Sequence, residues 1–169
     1  MEQITVIIED LTQLRELLAS DEICTRSAVA RTILVQLYTA RNEGSWLQAV
    51  AVEIEKALPA VVVGVTTVGE IAAGSSLYGK TVAAFSFFRS SQIDPIILPC
   101  PPGKELMLGR SLADKIERLG VDVKGLLLLA TPLSINVHDV LRGLAESSLR
   151  FPVFGGGAGD YASMNISFV

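Results

Sequence analysis

Two stretches of the chain are apolar without interruption: AVVVGV over 60–65 and GLLLLA over 125–130. A strand with one face in water alternates apolar with polar residues, whereas a strand covered on both faces does not. Both runs fall well short of the ~18 residues that span a bilayer. Each therefore predicts a strand inside a sheet with helices packed on it. Helical patterns flank both runs. Trp46, Leu47, Val50, Ile54, Ala57 and Leu58 recur at helical spacing with Glu53, Glu55 and Lys56 between them, and Pro59 ends the helix. Leu108, Leu112, Ile116 and Leu119 share one face of a helix over 106–119. Asn136 offers an N-cap to a helix running to about Leu149. Strands are expected over 32–39 (TILVQLYT), 81–88, 93–98 and 153–154, and 166–169 is strand-like. The prediction is an α/β fold with a mixed or largely parallel sheet flanked by helices.

The halves share an order: helix, apolar strand, turn, helix, apolar strand, glycine loop, strand, offset by about 90 residues. This predicts a pseudo-repeat in which strands 32–39 and 125–130 are equivalent. Any alternating α/β chain gives a weaker form of the same pattern.

The chain has 169 residues, half of them hydrophobic, enough to bury a core. Net charge is −4 with no basic block, which argues against a nucleic-acid partner. Cys24 and Cys100 have neither a zinc spacing nor a disulfide framework, so reduced thiols in a cytoplasm fit best. The start, MEQITVIIED, is acidic, and its apolar run is too short for a secretory signal. The last residues, MNISFV, form an apolar strand-like run, which predicts that the unit continues beyond them and covers apolar surface there.

Two glycine loops end in carboxylates: VVVGVTTVGE over 61–70 and FPVFGGGAGD over 151–160. Gly64 and Gly69 have P-loop spacing, but Glu70 and Ile71 stand where lysine and a hydroxyl residue should hold phosphate and magnesium. Gly157, Gly159 and Ala162 fit a loose dinucleotide fingerprint, but a strand-like stretch follows in place of the required helix. Gly155–Gly159 is expected as a turn between strands. His138, the only histidine, begins a helix beside Asp139, a position that usually marks a structural residue. No nucleophile motif accompanies it, so a hydrolase has little machinery. Ligands of α/β sheets sit at the carboxyl ends of strands, which both loops leave. The candidate ligand residues are Thr66, Thr67, Gly69, Glu70, Gly155, Gly156, Gly157 and Asp160. Glycine N–H groups suit a ligand carboxylate, and Glu70 and Asp160 suit its ammonium. Alternatively, the two carboxylates cap backbone N–H groups.

LVQLYTAR (34–41), VVVGVTTVGEI (61–71) and FPVFGGGAGD (151–160), in this order, resemble the N-terminal part of a FIST domain. The resemblance implies a cytoplasmic sensory module of signal transduction, spanning 1–169 and part of a longer unit with a second FIST half. It implies small ligands such as amino acids, no catalysis, and partners such as histidine kinases, cyclic-di-nucleotide enzymes or chemotaxis receptors. Some bacterial members bind haem and sense nitric oxide; in this chain His138 is the only histidine that could ligate haem.

Overall fold

The computed structural model describes residues 1–41, 43–160 and 167–169. The chain divides into two compact units, Met1–Pro95 with Gly159–Val169, and Ile96–Ala158.

In the first unit β1 (Glu2–Ile8) is followed by α1 (Leu11–Leu18) and α2 (Asp21–Val29). Asp10 starts α1 by accepting from the N–H groups of Thr12 and Gln13, and Ser20 starts α2 by accepting from Ile23. Next come β2 (Thr32–Thr39), α3 (Gly44–Ala57) and β3 (Ala60–Thr66). A short hairpin follows, β4 (Glu70–Ala72) and β5 (Ser75–Leu77), and then β6 (Thr81–Phe88). The hairpin turns on Ala73 and Gly74, whose φ values of 50° and 76° suit a two-residue turn with both residues left-handed.

The main sheet has the order β1-β6-β2-β3. β2 and β3 are parallel, joined by α3, and β6 runs antiparallel to β1 and β2. The fold is therefore mixed α/β, as expected. Ile33, Val35 and Leu37 of β2 and Ala83, Phe85 and Phe87 of β6 bury one sheet face against Leu14, Leu18, Ile23, Val50 and Ile54 of the helices. Gly64 lets β3 press on β2: a Cβ there would lie 3.1 Å from Leu37 Cβ. β1 carries the alternation Ile4, Val6, Ile8 of a half-covered strand, with Ile4 and Val6 packed against the core and Ile8 within it.

The second unit holds α4 (Glu105–Arg118), β7 (Leu126–Ala130), α5 (Val137–Ala145) and β8 (Val153–Gly157). β7 and β8 are parallel. Leu112, Ala113 and Ile116 of α4 and Leu144 of α5 form its small core, with Leu126 packed against it. The helices meet where neither has a side chain: a Cβ on Gly109 would lie 2.1 Å from Val140 O, and one on Gly143 would lie 2.1 Å from Leu106 O.

Three expectations are corrected. Residues 93–98 form no strand; Pro95 and Pro99 remove backbone donors there. α5 stops at Ala145, because Ser147 Oγ bonds Leu144 O and accepts from Leu149 N, replacing helical bonds. Gly155, Gly156 and Gly157 are not a turn but strand residues opposite Leu128, Leu129 and Ala130. Residues 167–169 are not assigned to a strand, and Ile166 lies outside the described residues.

Candidate functional site

Three strands of the main sheet reach one end with a threonine. Thr39 and Thr66 close the parallel pair β2 and β3, and Thr81 opens β6 opposite Thr39. All three are fully buried. Buried hydroxyls need partners, and these have them. Thr39 and Thr81 share a hydrogen bond of 2.9 Å, Trp46 Nε1 donates to Thr81 at 2.7 Å, and Thr39 reaches the Lys80 carbonyl at 3.1 Å. The Arg41 guanidinium lies 4.4 Å from the Trp46 ring centroid, a cation–π contact. This polar layer closes the core where the chain leaves β2 and β3.

The chain leaves β3 through Thr67, whose N–H bonds Thr39 O at 2.8 Å. Three residues on, β4 begins with Glu70, only 4% exposed. Thr67 Oγ1 donates to Glu70 Oε1 at 2.6 Å. Glu70 Oε2 is buried and has no hydrogen-bond partner among the described residues. Gly69 backs the turn: a Cβ there would lie 3.3 Å from Leu77 O and 3.4 Å from the Tyr78 ring.

The stretch that returns after the second unit meets this turn. Gly159 N donates to Thr66 O at 2.7 Å. A Cβ on Gly159 would lie 3.0 Å from Val68 Cγ1 and 3.2 Å from Val68 N, so glycine is what allows the approach. Asp160, 5% exposed, follows directly. Thr66 N donates to Phe168 O at 3.0 Å, and Phe168 N donates to Thr66 Oγ1 at 2.9 Å. The Phe168 ring lies 3.3 Å from where a Cβ of Gly44 would stand, at the start of α3.

Of the sequence-derived candidates, Thr66, Thr67, Gly69, Glu70 and Asp160 thus belong to the first unit. Gly155, Gly156 and Gly157 belong to the second, in β8. Gly155 has φ 136°, and a Cβ there would lie 2.0 Å from Leu128 O, so its glycine serves strand pairing. Thr39, Thr81 and Phe168 were not among the sequence-derived candidates, although a threonine at the end of each of three strands was there to be seen.

The FIST N domain family model matches residues 33–169. The chain belongs to the FIST N domain family. No curated protein and no solved structure gives a significant match. The FIST family is a family of signal-transduction sensors, which accords with a sensory module. Among the described residues no helix is long and apolar enough to cross a membrane. Haem, which some FIST domains hold, needs an axial donor over a large apolar pocket. His138 does not fit that role: it is exposed in the first turn of α5, where its backbone N–H donates to the Asn136 cap. No group of three or more histidine, cysteine or acidic side chains among the described residues is placed to hold a metal ion. Cys24 and Cys100 are free thiols, and burial pushes the Cys100 thiol up, with Glu105 adding to the effect.

Proposed function

We propose that this FIST domain is a small-ligand-binding sensory module of intracellular signalling, with an amino acid as its ligand and no reaction of its own. The observation that supports it is the buried Oε2 of Glu70. A carboxylate taken out of water costs free energy unless both oxygens find donors. Thr67 supplies one, and among the described residues no backbone N–H caps the other. The ammonium of an amino acid supplies the missing donor and the opposite charge together. Thr67, Gly69, Glu70 and Asp160 form the binding group at the carboxyl end of β2 and β3, the customary ligand position in such sheets. Binding shifts the population between free and bound conformations, and a cytoplasmic transmitter reads the shift: a histidine kinase, a cyclic-di-nucleotide enzyme or a chemotaxis receptor.

The test is a thermal-shift screen of the proteinogenic L-amino acids, followed by calorimetric titration of the strongest hit. A charge-assisted hydrogen bond contributes ~1.5–3 kcal/mol, so Glu70→Gln is expected to weaken that hit roughly ten- to a hundredfold. Unchanged affinity in the variant, with only a lower Tm, would make Glu70 structural and sink the proposal.

A further inference from the structure

Thr66 carries more than the strand end. Thr67 N bonds Thr39 on the β2 side, so strand alternation turns the main-chain groups of Thr66 outward, toward the open edge of the sheet. An edge N–H and carbonyl buried there need partners. Both take them from one returning stretch: the carbonyl from Gly159, the N–H from Phe168. The hydroxyl adds a third tie by accepting the Phe168 N–H. Two points nine residues apart in the chain thus converge on a single fully buried threonine.

We infer that Thr66 is the positioning residue of the candidate site, holding Gly159, and so Asp160, against the Thr67–Val68 backbone and Phe168 against the first residue of α3. The inference rests on the ligand-binding proposal for its functional meaning, but not for its geometry. The hydroxyl is the part a side-chain change can remove. Valine has the same shape and leaves the Phe168 N–H without its acceptor, whereas serine keeps the oxygen.

Amide hydrogen exchange on the full chain tests the tether without a ligand. In Thr66→Val the Phe168 amide is expected to exchange about tenfold faster or more, while the amides of Val35 and Leu37 in β2 keep their protection. Thr66→Ser is expected to restore the wild-type rate at Phe168. Equal Phe168 rates in wild type and Thr66→Val overturn the inference, as does a uniform loss of protection shared by β2. A second arm uses an equimolar mixture of the proteinogenic L-amino acids as the probe in a thermal-shift assay. Wild type and Thr66→Ser are expected to shift together and Thr66→Val by less than half as much. A full shift in Thr66→Val, despite a loosened Phe168, overturns the positioning role. A local exchange effect with no shift in wild type supports the tether and overturns the amino-acid proposal.

Discussion

The two β–α–β units, β2–α3–β3 and β7–α5–β8, share an order of elements and end in different surroundings. Each is parallel, and in each an arginine of an earlier helix pairs with a glutamate of the crossover: Arg15 of α1 with Glu53 in α3, and Arg110 of α4 with Glu146 at the end of α5. Yet β2 is flanked on both edges, and its Val35 is fully buried, while all five residues of β7 are only half-buried and all five of β8 are exposed. An apolar run states that a strand is suited to burial; the strands that arrive beside it decide how much burial it gets. The glycines diverge in the same way. Gly64 eases the packing of β3 on β2, whereas Gly155 is demanded by a backbone carbonyl.

The largest expected difference lies in core truncations. Phe85→Ala opens a cavity in the first unit's core and should cost ~3–5 kcal/mol, while Leu128→Ala, in a half-buried strand, should cost about 1 kcal/mol. Urea unfolding followed by the fluorescence of Trp46, the single tryptophan and a first-unit residue, measures the former, and hydrogen exchange across β7 the latter. Comparable costs would erase the contrast in burial. Next come the glycines. Gly155→Ala should destabilise by about 3 kcal/mol, from the clash with Leu128 O and the positive φ, against about 1 kcal/mol for Gly64→Ala. The reverse order, by the same two measurements, would mean that β8 does not need its glycine.

The smallest effect concerns the paired arginines. Arg15, helped by Lys56, lowers Glu53 to about 2, and Arg110 lowers Glu146 below the usual carboxylate range. A carboxylate depressed in the folded state stabilises above its unfolded pKa, and that contribution is lost as pH falls through the folded value. Both pairs sit at the surface, so each is worth little. Glu53→Gln should flatten the acid limb of the stability curve between about pH 4.3 and 2. An unaltered acid limb would show that the Arg15 pair contributes nothing to holding α3 on α1.

Strong local patterns made much of this fold legible. TILVQLYT, AVVVGV and LLLLA name their strands, and the spacing from Trp46 to Leu58 names α3. The insertion of the second unit was not legible, since Pro95 and Gly159 sit among other prolines and glycines with no change of composition to mark a boundary. The start of β8 at Val153 and Phe154 was legible, but its continuation through Gly155–Gly157 was missed because three successive glycines have poor strand propensity, and only the ladder with β7 overrides it. At the site, the sequence pointed to Glu70 and Asp160 through the loops that carry them. It did not show that Glu70 is buried with one oxygen unpaired among the described residues, or that Gly159 bonds Thr66, since burial and long-range pairing leave no local signal.

The bond between Thr66 and Phe168 joins residues 102 positions apart. Closing so long a span costs only modestly more than closing a shorter one, but it makes the order of synthesis matter. A ribosome releases β1, β2, β3 and β6 well before Gly159 emerges, so the strands of the sheet are available to pair while the partners of Thr66 are still unmade. The second unit is made entirely within that interval. The residues that complete the candidate site, Gly159 and Asp160, are thus translated only after the whole of the second unit.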